Sequence, residues 1–164
     1  MNELTIRYAT QADAPAINDI LNHYVLNSTA TFITEPVSLE ERLKWLEDRP
    51  PTHPAVVAEI SRAVVGWGAL GSFRTRAAYA QTVELSVYIH PDYHRRGIGR
   101  ALTHELLGRA RTLGLHAVVG GCCSESTASI ALLQSFGFSQ VGHFPQVGRK
   151  FDRWLDVVFF ELLL

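Results

Sequence analysis

One stretch constrains this chain more than any other: Val87-Tyr88-Ile89-His90-Pro91-Asp92-Tyr93-His94-Arg95-Arg96-Gly97-Ile98-Gly99-Arg100-Ala101-Leu102. Up to Ile89 the residues alternate, with Val83, Leu85, Val87 and Ile89 facing one way and Thr82, Glu84, Ser86 and Tyr88 the other, as in a strand. From about residue 98 to 113 a helix is expected, with Gly114 as its C-terminal cap. A strand therefore enters a basic, glycine-containing turn that opens directly into a helix. Gly97 and Gly99 let the backbone approach a ligand closely. The first N–H groups of a helix lack intrahelical partners and carry the positive end of its dipole, so they attract a phosphate. Arg95, Arg96 and Arg100 add charge where a pyrophosphate would sit.

Two familiar phosphate motifs do not fit this loop. No G-x-x-x-x-G-K-S/T string occurs, and Leu102 stands where a dinucleotide fingerprint needs its third glycine. His90 and His94 have a helical ligand spacing, but Pro91 between them predicts a turn and no third ligand is near, so no metal is expected.

Elsewhere, residues 4–8 alternate as a strand. Thr10 with Asp13 marks a helix start, and Ile17, Ile20, Leu21, Tyr24 and Val25 share one helical face. Residues 27–36 have no apolar period and predict a loop. Ser38 with Glu41 forms a capping box for a short helix that stops before Pro50-Pro51. Residues 54–60 and 63–70 flank Ser61-Arg62 as a hairpin would. Beyond Gly114, a strand is expected over 115–120, a helix over 124–136, a strand over 138–143, an irregular segment over 142–153 and a buried strand over 155–163. That order predicts one α/β (α+β) domain, residues 1–164, with a mixed sheet covered by helices.

Composition excludes several classes. With 47% hydrophobic and 19% charged residues the chain is globular rather than disordered. A net charge of −1 gives no whole-chain attraction to nucleic acid. No apolar stretch approaches the ~18 residues of a membrane span. Cys122 and Cys123 are adjacent and cannot build a disulfide framework or zinc site, which favours a reducing compartment. The amino terminus lacks a signal-peptide pattern, so a soluble cytoplasmic protein is expected.

The loop from Arg95 to Leu102, following a Val-Tyr-Ile strand, resembles the Q/R-x-x-G-x-G/A coenzyme A motif of the GNAT acetyltransferases. His94 stands where that family usually has Gln or Arg. The likeness extends along nearly the whole chain toward the phosphinothricin and methionine sulfoximine or sulfone acetyltransferases. Its carriers are Thr29-Ala30-Thr31-Phe32, the strand Thr82–Ile89, the phosphate loop, and the tail Phe144-Pro145-Gln146-Val147-Gly148-Arg149-Lys150-Phe151-Asp152-Arg153-Trp154-Leu155-Asp156. The resemblance implies the GNAT fold, a mixed and mostly antiparallel sheet that splays beside acetyl-coenzyme A. It also implies homodimers with active sites near the subunit interface.

Acetyl transfer to an amine needs a neutral nitrogen, a polarised thioester carbonyl and a proton for the departing thiolate. Glu84 matches the glutamate assigned as general base in that branch, against the plainer reading of a solvated strand carboxylate. The resemblance implies that backbone N–H groups of Val87, Tyr88 and Ile89 polarise the carbonyl. It also implies that Arg95, Arg96, Gly97, Ile98, Gly99, Arg100 and Ser126 hold the cofactor, Ser126 replacing an asparagine common among relatives. For a zwitterionic acceptor, Arg74 and Arg76 precede the catalytic strand, and Arg149 and Lys150 lie in the tail; each is either a carboxylate fork or solvated charge. Phe32 and Phe73 could wall the pocket.

Leu133 departs from the pattern, because relatives carry His or Tyr there as the proton donor. That departure leaves water, the acceptor's own proton or Tyr88 as the acid, and suggests a more apolar acceptor pocket. The expected function is direct acetyl transfer from acetyl-coenzyme A to the α-amine of a small amino-acid-like acceptor, without metal. The rivals are a GNAT enzyme acting on a polyamine, an antibiotic or a protein amino terminus, and a catalytically silent coenzyme A sensor.

Overall fold

Helix boundaries follow from the chemistry of the residues at their ends. The computed structural model describes residues 3–164. Strand β1 (Leu4–Tyr8) leads through a turn to helix α1 (Ala14–Asn27). The Thr10 N–H donates to Asp13 Oδ2 at 2.7 Å, and both Arg7 amino groups donate to the Asp13 carboxylate at 2.8 Å. Helix α1 buries Ile17, Ile20, Leu21 and Val25, the i, i+3, i+4, i+8 stripe of one face. The Ser38–Glu41 capping box opens α2 (Leu39–Glu47), with Ser38 N–H to Glu41 Oε2 at 2.8 Å and Glu41 N–H to Ser38 Oγ at 3.2 Å.

Strands β2 (Ala55–Ile60) and β3 (Ala63–Ser72) form the expected hairpin, with Ser61 and Arg62 both at positive φ. Strand β4 (Thr82–Ile89) enters the basic loop, and α3 (Ile98–Thr112) leaves it. Then come β5 (Ala117–Cys123), α4 (Thr127–Ser135), β6 (Ser139–Lys150) and β7 (Arg153–Leu163). The seven strands form one sheet in the order β1-β2-β3-β4-β5-β7-β6. Every neighbouring pair is antiparallel except β4–β5, which is parallel.

One segment departs from expectation. Residues 142–153, read as irregular, continue β6 as far as Lys150. Pairing with β7 overrides the local Gly and Pro content. The register shifts between Gln140 and Gly142 and between Phe144 and Gly148, and Gln146 has φ 51.

Two apolar clusters sandwich the sheet. Ile98, Leu102 and Leu106 of α3 meet Val83, Val118 and Phe160 on one face. Ile17, Ile20, Leu21 and Val25 of α1 meet Val57, Trp67 and Ala69 on the other. No described helix is long and apolar enough to cross a membrane.

Candidate active site

The parallel pair in the middle of the sheet is short. β4 and β5 pair only at Thr82↔Ala117, Val83↔Val118 and Glu84↔Val119, after which both strands continue apart. The His90 N–H donates to the Val65 carbonyl at 2.9 Å, which fixes the phase of the β3–β4 ladder. By the antiparallel alternation, Glu84, Ser86 and Tyr88 direct their backbone groups at β3, whereas Leu85, Val87 and Ile89 direct theirs into the opening. Of the three expected backbone donors, Val87 and Ile89 therefore face the opening and Tyr88 does not. At its far end the opening is tied to α1: the Tyr24 hydroxyl donates to the Ile89 carbonyl at 2.6 Å. His94 Nε2 lies 2.7 Å from the Tyr24 oxygen and 3.3 Å from Ile89 O. The residue that replaces the family's Gln or Arg thus folds the loop back onto β4.

The opening leads to the start of α3. Gly97 is the N-cap at φ +77, and a Cβ there would meet nothing within 4 Å. The first intrahelical bond at this end runs from Ala101 N–H to Gly97 O, so the N–H groups of Ile98, Gly99 and Arg100 precede the hydrogen-bonded turns. Arg95, Arg96 and Arg100 are exposed and form no ion pair with a described residue. Arg96 lies over Tyr93 at 4.8 Å and Arg100 over Phe136 at 5.1 Å. Three unpaired guanidinium groups and open helix N–H groups fit a pyrophosphate. Ser126 is the N-cap of α4 and its hydroxyl makes no capping bond, so it can donate elsewhere.

Glu84 stands on the other side of β4 from α3. Its carboxylate is partly buried, forms no hydrogen bond or ion pair with a described residue, and has its pKa raised by burial. Gly121 makes room for it: a Cβ at that position would lie 3.5 Å from Glu84 Oε1. A cleft of about 390 Å³ runs along the same sheet face from Gly71, the register partner of Glu84, past Ala69 and Ser86 to Trp67 and Tyr88. Helix α2 covers it with Arg42 and Trp45, and Arg49 joins them from just beyond the helix. Trp67 stacks on Tyr88 at 5.0 Å and meets Trp45 edge-on at 5.6 Å. Burial raises the Tyr88 phenol, which therefore keeps its proton at neutral pH.

The structure redistributes the other expected residues. Arg74 and Arg76 are exposed in the segment between β3 and β4, with Arg74 5.2 Å over Phe73. Arg149 is exposed beside Asp152 at 3.3 Å. Phe32 packs on β6, where its ring fills the space that a Cβ at Gly148 would need. Lys150 is corrected from acceptor ligand to structural tie. It is 4% exposed, and Nζ donates to the carbonyls of Ser28 at 2.6 Å, Thr31 at 2.8 Å and Tyr24 at 3.3 Å, which engages all three protons.

Leu133 is corrected as well. It is 6% exposed in the α3 cluster, across the sheet from Glu84, and does not line the cleft. Cys122 and Cys123 end β5, and burial pushes the Cys122 thiol up to about 11, which suits no nucleophile. Sequence reading did not single out Tyr24 as the tie to the end of β4, nor Arg42 as a residue lining the cleft. Arg42 and Trp45 share one face of α2 by i, i+3 spacing, and that was the available signal.

Known proteins share this architecture. Residues 6–159 match the acetyltransferase (GNAT) domain family. The L-amino acid N-acyltransferase MnaT of Escherichia coli is 41% identical over 98% of this chain and 94% of its own length. The L-methionine sulfoximine/L-methionine sulfone acetyltransferase of Salmonella typhimurium is also 41% identical, over 98% of this chain and 95% of its own. The GNAT superfamily phosphinothricin acetyltransferase of Sinorhizobium meliloti, solved in complex with acetyl-coenzyme A, superposes with a TM-score of 0.93 at 37% identity, covering 98% of this chain and 88% of its own. With the splayed β4–β5 pair, the basic loop at the α3 N-terminus and a likeness that spans almost every residue, the chain belongs to the GNAT acetyltransferase family.

Proposed function

We propose that the protein moves the acetyl group of acetyl-coenzyme A directly to the α-amine of a small amino-acid-like acceptor. The observation that carries this reading is Glu84, an unpaired and partly buried carboxylate beside the opening between β4 and β5. The names of the relatives, which act on amino acids and their analogues, support the acceptor class.

Glu84 takes a proton from the acceptor ammonium, directly or through water, and frees the nitrogen lone pair. The N–H groups of Val87 and Ile89 stabilise the negative charge that grows on the carbonyl oxygen during attack. The Arg95–Arg100 loop and the start of α3 hold the pyrophosphate, with Ser126 as a further donor. Leu133 cannot protonate the departing thiolate; Tyr88, water or the acceptor's own proton does so. Arg74 and Arg76 face solvent with no carboxylate partner among the described residues and hold the acceptor's α-carboxylate. Phe32 and Arg149 border this end of the site. Exposed Val141, Phe144, Val147 and Trp154 on β6 and β7 support a homodimer, and the chain acts in the cytoplasm.

Turnover of acetyl-coenzyme A against a panel of amino acids and analogues tests the reading. Acetylated amine is expected, and Glu84→Gln should lose ~10²–10⁴-fold in rate while keeping cofactor affinity. Wild-type protein that binds coenzyme A but acetylates no amine would turn the assignment into a sensor.

A further inference from the structure

Lys150 ends β6 where the chain turns back against its own conformational preference. Phe151 and Asp152 join β6 to β7 at φ 51 and 57, with Lys150 paired to Arg153. Turns whose two central residues have positive φ favour Asn-Gly, because a Cβ crowds the backbone there. Such a turn persists only where its surroundings over-determine it. Two contacts do so here. On the β7 side, the Arg153 guanidinium donates to both Glu125 oxygens at 2.6 and 3.1 Å, but an exposed pair of this kind contributes little. On the β6 side stands Lys150, 4% exposed, with its three ammonium protons on three carbonyls.

Those carbonyls lie together at the end of α1. Ser28 is the C-cap, and its N–H donates to the Tyr24 carbonyl at 3.0 Å. Lys150 Nζ donates to the Ser28 carbonyl at 2.6 Å and to that of Tyr24 at 3.3 Å, so it sits on the negative end of the helix dipole. Its third bond, 2.8 Å to the Thr31 carbonyl, holds the segment that follows. Lys150 forms no ion pair with a described residue, and burial pushes its pKa down. Only the carbonyls offset the cost of burying its charge, so hairpin and helix end are held as one body.

That last turn of α1 carries Tyr24, whose hydroxyl donates to the Ile89 carbonyl at 2.6 Å. Ile89 is the final residue of β4, past the point where β5 pairs with it, and its N–H faces the cofactor opening. A hairpin lysine is thus connected to a backbone donor of the site through one tyrosine.

We propose that Lys150 is a positioning residue for acetyl transfer. By locking the last turn of α1 to the β6–β7 hairpin, it keeps the Tyr24 hydroxyl on the Ile89 carbonyl and the Ile89 N–H at the opening. This rests on the acetyltransferase reading above and adds to it a residue that acts through another.

Lys150→Met keeps the stem and removes every donor. Hydrogen exchange of the free protein reads the connection without any ligand. The His90 N–H, which donates to the Val65 carbonyl at 2.9 Å, should exchange faster relative to the amides of β2, which report global opening. The expected ratio is about 3–10-fold, the worth of one neutral hydrogen bond. With L-methionine sulfone, for which a relative is named, kcat should fall by about the same factor while the acceptor KM stays within about twofold. Tyr24→Phe already cuts the connection, so adding Lys150→Met to it should lower kcat by less than about twofold more. Lys150→Gln, which keeps two donors, carries the same comparison if the methionine variant does not fold. Exchange that rises equally at His90 and in β2, unchanged kcat in a folded variant, or losses that multiply in the double variant would overturn the proposal.

Free-protein exchange and calorimetry separate this from a failure of the function itself. If wild type acetylates no amine, faster exchange confined to the end of β4, with coenzyme A affinity lowered several-fold, still supports the role of Lys150. Equal exchange, or unchanged affinity, overturns it.

Discussion

The Tyr24 hydroxyl lies 2.6 Å from the Ile89 carbonyl oxygen, so helix α1 supplies the hydrogen bond that β5 no longer offers to the end of β4. The same oxygen is approached by His94 at 3.3 Å, and His94 is 2.7 Å from the Tyr24 hydroxyl. With Tyr24 donating to Ile89, His94 donates from Nε2. This three-way contact sets the position of the Ile89 N–H beside the cofactor opening.

Tyr24→Phe removes the donor and keeps the ring that packs 5.5 Å from Tyr88. Stability should fall by about 1 kcal/mol, the usual worth of a neutral hydrogen bond. Coenzyme A affinity should fall several-fold as the β4 edge loosens. Denaturant unfolding and calorimetry read the two effects. Unchanged affinity in a destabilised variant would make the contact structural only.

Gly97 gives the cleanest probe of pyrophosphate placement. At φ +77 an alanine is strained by about 1–2 kcal/mol, but its Cβ meets no protein atom within 4 Å. Gly97→Ala should therefore fold with a lowered melting temperature. Its methyl group would stand where a phosphate must approach the α3 N-terminus, and coenzyme A affinity should drop at least tenfold. A folded variant with wild-type affinity would move the pyrophosphate elsewhere.

Glu84 makes stability and activity respond oppositely to pH. Burial raises its folded pKa, so the ionised carboxylate costs stability. That cost is absent below the unfolded value near 4.5, grows as pH rises toward the raised folded value, and is fully present only above it. Glu84→Gln should thus melt higher than wild type at pH 7, with the gain fading as pH falls toward 4.5. Activity needs the ionised base, so the acid limb of wild-type kcat/KM should sit above the ordinary glutamate range. A glutamine variant that melts lower at pH 7 would contradict the buried, unpaired placement.

The elements that local chemistry specifies were legible in the sequence. The Ser38–Glu41 box, the helix-ending Gly114 and Gly137 and the alternation through Glu84 each carry their own signal. Tertiary pairing was less visible. β6 continues past Pro145 because β7 supplies its partners, and no window of the β6 sequence contains that information. Lys150 and Arg42 show the same limit for charges. Both are basic residues in polar segments, yet one is consumed by three carbonyls and the other left without any. Only the positions of the α1 carboxyl end and the α2 face in space distinguish them.

Leu133 and Gly120 are predicted to be energetically coupled. Gly120 is the first β5 residue beyond the last pair with β4, and a Cβ there would lie 2.6 Å from Leu133 Cδ1 and 3.2 Å from Cδ2. Gly120→Ala should overpack this contact and cost about 1–3 kcal/mol. Leu133→Ala alone should cost about 2–5 kcal/mol, because it empties a site that is 6% exposed within the α3 cluster. In the double variant the new methyl occupies part of the vacated space, so its loss should be smaller than the sum by about 0.5–3 kcal/mol. Urea unfolding of the four proteins gives the coupling directly. Strict additivity would mean that Leu133 does not press on the strand, and would return it to the opening as a candidate pocket residue. Leu133→His adds a second reading of the same contact. An imidazole buried against Gly120 has no described polar partner in the cluster, so it should destabilise the fold without raising turnover at neutral pH. Increased turnover would instead show that position 133 reaches the departing thiolate.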